Sequence, residues 1–367
     1  MVEEAIESFV ESQGLWFAFV VVVMGGVILV AFIEKLISYL TRAALGLRIS
    51  VFSLAIIFTG FEFDDTILAL VFASGGLEDV ALGTALGTAL AIVGITLAIA
   101  AVVHPFSVDI PRDYLAILVV SPLILLPLVL SGNLTRIHGV GLLGLFFAFL
   151  AYVVYMEHRR DVPVFRDTDV IERVETDGGV EADAELEADG GVMARERIEP
   201  IFEDDLVGDR VYAGYVWFGL AVAALAGVIF GSMLIQTGSE VVLEETGIEE
   251  TVFGATVITL LLTFENVLLT LEPVRRGFPE IGIGHVVGSV VFSVTGNIGF
   301  ILLLADLNIG TSVLYFHFPA LLIVTALGAY FVGTRRIRRW HGVLLGGLYV
   351  AYWLIAVFVF GGVPISG

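Results

Sequence analysis

The stretch GFEFDDTILA, residues 60–69, puts three carboxylates, Glu62, Asp64 and Asp65, into a run of Phe, Ile, Leu and Ala. A second greasy run, LLLTFENVLL, carries Glu265 beside Asn266. A carboxylate inside hydrocarbon costs at least ~2.5 kcal/mol, so it is kept where an ion or a proton offsets that cost. Two of them suit cation binding, and we expect Asp64 and Glu265 to be the main metal-holding pair. Asp65 is either a further ligand or a proton carrier. Glu62 lies two residues from Asp64, about 200° around a helix, and is expected to line a water-filled entrance.

Hydroxyls and amides form a second pattern. His285, Ser289, Ser293 and Asn297 recur every four residues, one stripe along a helix. A parallel series, Thr84, Thr88, Ile92 and Thr96, is polar at three of its four positions. Neutral oxygens of this kind ligate hard cations such as Na⁺ and Ca²⁺. Cation-binding candidates are therefore Thr84, Thr88, Asn266, Ser289 and Ser293, with Asp65 and His285 for proton coupling. The bland counter-reading is that Ser and Thr glue one helix to another. Histidine metal clusters, nucleophile triads and phosphate loops do not occur, so an enzyme is not expected, nor a cofactor.

The elements that must position these groups follow from composition. The chain has 367 residues, 58% hydrophobic and only 16% charged, with mean hydropathy +0.98. Ten apolar stretches approach the ~20 residues that cross a bilayer: 15–40, 50–72, 80–103, 114–131, 139–156, 211–236, 250–271, 281–304, 312–333 and 341–362. The class is an all-α polytopic membrane protein, whose partners are the lipid bilayer and inorganic cations, with no nucleic acid. Cysteine is absent, which excludes disulfides and thiolate sites. The acidic start MVEEAIESFVESQ lacks the basic region of a signal peptide.

Net charge is −21, and residues 157–210 alone hold 18 Asp and Glu against 7 Arg. Such acidity keeps a surface hydrated at high salt, where ordinary charge is screened, so a halophilic setting is expected. Basic residues concentrate in cytoplasmic loops. With both termini outside and the long 157–210 loop cytoplasmic, 17 of the 18 Lys and Arg face inward and Arg136 alone faces out. The location is the cell membrane, crossed many times.

An internal repeat organises the chain. LWFAFVV (15–21) and VWFGLAV (216–222) are 201 residues apart, as are GLRISVF (46–52) and GIEETVF (247–253). The same offset pairs Phe63-Asp64 with Phe264-Glu265, Gly83 with Gly284 and Gly87 with Gly288; towards the end it becomes 203, pairing HGVGLLG (138–144) with HGVLLGG (341–347). Each half holds five helices, and an odd count makes the second copy enter from the opposite side. We expect ten transmembrane helices in two inverted five-helix repeats, 1–156 and 211–367, joined by an acidic cytoplasmic loop, 157–210. Transporters built this way bind substrate at the repeat interface near mid-bilayer. His138 and His341, at matching helix starts, read as structural, and Asp109 and Asp113 as loop residues.

These residues resemble the sodium/calcium exchanger membrane region of the cation/Ca²⁺ antiporter superfamily. Its signatures begin near G-x-S-E-T-x-x-G, pass through T-S-L-P-E and end in G-N-x-x-G-S-x-x-x-N/D. SVFSLAIIFTGFEFDDT with GGLEDVALGTALGT looks like the first, and GIEETVFGATVITLLLTFENV with RRGFPEIGIGHVVGSVVFS like the second. The resemblance implies Asp64 and Glu265 for the family glutamate and Thr88 and Ser289 for its serine. It also shows departures: Phe63 and Phe264 replace proline, Gly60-Phe61 and Leu261-Leu262 replace T-S, Thr84 and His285 replace asparagine, and Ile92 and Ser293 hold the last ligand position. The chain reads as a divergent member.

The expected function is a secondary active cation antiporter of Na⁺/Ca²⁺ exchanger type, moving Ca²⁺, Na⁺ or H⁺ by alternating access. Two alternatives stand beside it: a Na⁺/H⁺-type exchanger, and a non-transporting membrane sensor or assembly protein that retains the fold. The sequence leaves the transported ion, the stoichiometry and the oligomeric state open.

Overall fold

A computed structural model describes residues 9–10, 12–46, 62–157, 213–275 and 277–361. The acidic 157–210 loop beyond Glu157, the first half of the expected 50–72 helix and the two chain ends lie outside the described residues. Within them the chain is helical: α1 (Leu15–Gly46), α2 (Phe63–Ser74), α3 (Glu78–Val103), α4 (Arg112–Ser131) and α5 (Arg136–Glu157) precede the loop. After it come α6 (Ala213–Thr246), α7 (Glu250–Arg275), α8 (Pro279–Leu304), α9 (Val313–Gly333) and α10 (Arg339–Phe360). All but α2 are long and apolar enough to cross a membrane. The outward faces are greasy, with Trp16, Phe147, Phe264 and Val343 among many exposed apolar side chains, as a protein solvated by lipid requires.

The halves are inverted copies. α1 and its counterpart α6 pack antiparallel: a Cβ on Gly25 would meet Gly231 O at 2.8 Å, while one on Gly238 would meet Ala18 O at 2.9 Å. Equivalent helices that run in opposite directions require the second copy to be upside down. Four two-residue strands repeat the relation. β1 (Phe106–Ser107) pairs antiparallel with β4 (Arg336–Ile337), and β2 (Asn133–Leu134) with β3 (Leu307–Asn308). By the offsets 201 and 203, β3 is the copy of β1 and β4 the copy of β2, so each bridge is the other turned over. The flanking hydrogen bonds match as well: Val108 N donates to Arg335 O at 3.1 Å and Ile309 N to Gly132 O at 3.0 Å.

That match explains one backbone oddity. Gly132 has φ 77°, which glycine adopts freely; its counterpart is Arg335, the one described non-glycine residue at positive φ, 62°. Arg335 is held by the bridge and by an ion pair to Asp109 at 3.2 Å. His138 and His341 also play one part: each Nδ1 accepts the backbone N–H three residues earlier, Thr135 and Arg338, both at 3.1 Å, which caps a helix start. Asp109 is a loop residue as expected; Asp113 is not. It lies in the first turn of α4 and accepts the Tyr152 hydroxyl at 2.5 Å.

The centre is built from α3 and α8, the most buried spans. Each contains a π-helical segment at the equivalent place, Ile92–Thr96 and Phe292–Asn297. α3 lies so close to α7 that a Cβ on Gly83 would collide with the Thr251 carbonyl and one on Gly254 with that of Val80. This backbone contact brings the acids of α2 and α7 to the polar faces of α3 and α8.

Candidate cation site

α2 begins at the acids. Glu62 is its N-cap, extended at φ −84° and ψ 96°, and its side chain makes no cap hydrogen bond. It turns inward instead, and both its carboxylate oxygens are buried without a hydrogen-bond partner. This differs from the expected water-lined entrance: Glu62 is extended and stands ahead of the first helical residue, Phe63, so helical phase does not set its direction. Asp65 lies in the first turn on the inward face, 1% exposed, and both its oxygens are also unpartnered. The positive end of the helix favours carboxylates there.

The inward face of α2 runs through Asp65, Ala69 and Phe72; that of α7 runs through Thr263, Asn266, Thr270 and Pro273. The repeat equivalents Asp65 and Asn266 therefore both point in, an acid opposite an amide. Asp64 and Glu265 sit one residue off these faces and are half-buried. Glu265 lies within electrostatic range of Asp64, Asp65 and Glu34, and its Oε2 is unpartnered. Glu62 in turn lies within range of Asp64, Asp65 and Glu265. The acids thus share one field, yet no three His, Asp or Glu side chains among the described residues converge tightly enough to form a metal cluster.

Hydroxyls sort into two kinds. Buried Thr66, Thr256, Thr263, Thr295 and Thr325 donate to the carbonyl four residues earlier, as does Thr84 to Val80 O at 2.9 Å. Thr88 and Ser289, repeat equivalents on α3 and α8, do not, and both hydroxyls are buried and unpartnered. Thr88 stands beside Asp65 and Ser289 beside Glu62, close enough to interact though outside hydrogen-bonding geometry. Ser293 is unpartnered as well. His285 is committed: its Nε2 lies 3.1 Å from Asn266 Oδ1, a buried pair that ties α8 to α7. Glu62 is thus the residue that helical counting misplaces, because its extended backbone stands ahead of the helix. A crevice of about 470 Å³ beside Gly94, Tyr349 and Trp353 is apolar and holds none of these groups.

Comparison with known proteins follows the fold. The family model described as "Sodium/calcium exchanger protein" matches residues 17–155 and 215–358. The inner membrane protein YrbG of Escherichia coli strain K12 is 23% identical over 318 residues, 84% of this chain and 88% of that protein. The sodium/calcium exchanger MaX1 of Methanosarcina acetivorans is 26% identical over 139 residues, 38% of this chain and 40% of that one. A solved structure of the sodium-calcium exchanger NCX_Mj covers 93% of this chain and 98% of its own, with TM-score 0.52 and 19% identity, a likeness of fold.

Proposed function

Because the chain belongs to the sodium/calcium exchanger family, a family of membrane cation antiporters, we propose that it is a secondary antiporter whose ion is held by Glu62 and Asp65 from α2, Thr88 from α3 and Ser289 from α8. One observation carries this reading. Four carboxylate oxygens and two hydroxyls, all buried and none in hydrogen-bonding geometry with a protein group, lie side by side on three central helices, Ser289 beside Glu62 and Thr88 beside Asp65. Buried anions without partners are costly, and a desolvated cation supplies what each group lacks. Asp64 and Glu265, half-buried in the same field, form the approach to the site, with Glu34 on α1 extending it. Asn266, Ser293 and Thr84 complete the polar lining.

Exchange follows from the electrostatics. Once the ion leaves, the carboxylates remain buried and repel one another, so the protein changes access only after a second ion or a proton has replaced it. A charge of −2 from Glu62 and Asp65 balances one Ca²⁺ or two monovalent ions. The Na⁺/H⁺ alternative keeps Asp65 or His285 as proton carrier. Both termini lie outside, and the acidic 157–210 segment links the repeats in the cytoplasm. The test is flux into proteoliposomes under an imposed Na⁺ gradient, followed with ⁴⁵Ca²⁺ and a pH dye. Wild type should transport at least one cation, and Glu62→Gln and Asp65→Asn should each lower the flux by about tenfold or more. Undiminished flux in both variants removes the site assignment; no flux in wild type favours a non-transporting role.

A further inference from the structure

The two inverted bridges share a backbone but not a surface. After α4 the turn reads Gly132-Asn133-Leu134-Thr135-Arg136; its copy after α9, 203 residues on, reads Arg335-Arg336-Ile337-Arg338-Arg339. One basic residue becomes four, in a chain of net charge −21 in which no Asp or Glu follows Asp306. All four arginines are exposed, while Ile337 among them is buried at the bridge. Side chains alternate along a strand, so Arg336 and Arg338 share the outward face. Countercharge is thin. Arg335 pairs with Asp109 at 3.2 Å, and neither Arg336 nor Arg339 forms an ion pair with another described residue. In the twin turn Arg136 is satisfied locally, its guanidinium donating to Leu304 O at 3.3 Å. Two features work against the cluster. Arg335 takes a left-handed backbone where its twin is glycine. Arg338 and Arg339 stand at the positive, N-terminal end of α10, where cations are disfavoured. Strain and like-charge crowding in one exposed turn call for an anion that the described residues do not supply.

We infer that the α9–α10 turn binds the phosphate headgroup of an anionic membrane lipid. Depth selects a lipid over a soluble anion. Tyr330, 67% exposed near the end of α9, and Trp340, 53% exposed at the start of α10, bracket the arginines. Exposed aromatic rings of this kind mark the headgroup level. Trp340 is fixed there by edge contacts to Phe331 and His341, with ring centroids 5.3 and 4.0 Å apart. The twins of Tyr330 and Trp340 are Pro127 and Ile137, so the other bridge lacks both the charge and the aromatic bracket. Guanidinium groups hold phosphate oxygens through paired, charge-assisted hydrogen bonds. Binding therefore does not rest on diffuse attraction alone, which salt screens. Exposed Val343 and Leu344, one turn further along α10, offer apolar surface to the acyl chains. The orientation proposed above puts this turn in the cytoplasmic leaflet, but lipid binding does not depend on transport.

The test is thermal unfolding of the purified full chain in detergent, titrated separately with dioleoylphosphatidylglycerol, dioleoylphosphatidylcholine and inorganic phosphate. The first should stabilise wild type at concentrations where the other two do nothing. Each Arg near an anionic surface is worth about fivefold in binding. Replacing three together, Arg336→Gln, Arg338→Gln and Arg339→Gln, should raise the half-saturating phosphatidylglycerol concentration at least tenfold. Arg136→Gln, on the opposite face, should leave it unchanged. If the triple variant does not fold, wild type in phosphatidylcholine vesicles decides the matter. Brominated phosphatidylglycerol should then quench the emission that Trp340→Phe removes more strongly than brominated phosphatidylcholine does at the same fraction. Equal quenching, a wild type indifferent to phosphatidylglycerol, or a midpoint unchanged in the triple variant overturns the site. Equal stabilisation by inorganic phosphate overturns the lipid assignment. So does a lipid response that appears only after Glu181, Asp183, Glu185, Glu187 and Asp189 are changed to their amides, which would make the acidic linker the partner of the arginines.

Discussion

At the scale of single residues, the site is decided by which buried polar atoms already have partners. The side chains of Thr84 and His285 are engaged, whereas Glu62, Asp65, Thr88 and Ser289 are not. This yields an ordering for mutagenesis. Glu62→Gln and Asp65→Asn should impair transport more than Asp64→Asn or Glu265→Gln, because both carboxylate oxygens of Glu62 and of Asp65 are buried and unpartnered, against one of Glu265 and neither of Asp64; parallel flux assays give the ranking. The His285–Asn266 pair makes a different prediction. Asn266→Leu leaves a buried imidazole nitrogen unpaired, which costs ~1–3 kcal/mol. It should lower the thermal midpoint, and Asn266→Asp, which keeps an acceptor, should largely restore it.

At the scale of elements, the α3–α7 crossing is set by glycine. Gly83 and Gly254 let two backbones meet where any Cβ would strike a carbonyl. Gly83→Ala must push α7 away from α3 and disturb the polar faces; overpacking costs typically ~1–3 kcal/mol. Gly141→Ala is the control, since its Cβ would meet nothing. Size-exclusion profiles and melting curves should show loss for the first and none for the second. Arg335 offers the opposite case. Its left-handed backbone strains a side-chain-bearing residue by ~1 kcal/mol or more, and its ion pair with Asp109, 68% exposed on both sides, returns ~1 kcal/mol at most. Arg335→Gly should therefore leave stability unchanged or raise it slightly, which melting curves can check.

At the scale of the whole molecule, inversion places the β1–β4 and β2–β3 bridges on opposite faces of the membrane. The absence of cysteine makes this easy to examine. Single cysteines at Asn133 or Asn308 should react with a membrane-impermeant maleimide added outside intact cells, and cysteines at Ser107 or Arg336 should react only after lysis. The reverse pattern would turn the protein over without altering the repeat.

Sequence alone determined the membrane class, the inverted five-helix repeats and the membership in an exchanger family, because each is written in quantities that add along the chain: hydropathy, helix count and a constant offset. It also located the polar faces, since Thr88 and Ser289 stand four residues from Thr84 and His285 on regular helices. Tertiary structure decided which acids point inward. That choice turns on where the helix starts, at Phe63 after an extended Glu62, and on helical phase, where a single residue moves a carboxylate by about 100°, from the half-buried flank of Asp64 to the buried face of Asp65. Only packing reveals that Asn266 is already held by His285 and that Glu62 and Ser289 are held by nothing, because a hydrogen bond between distant segments leaves no mark in either one.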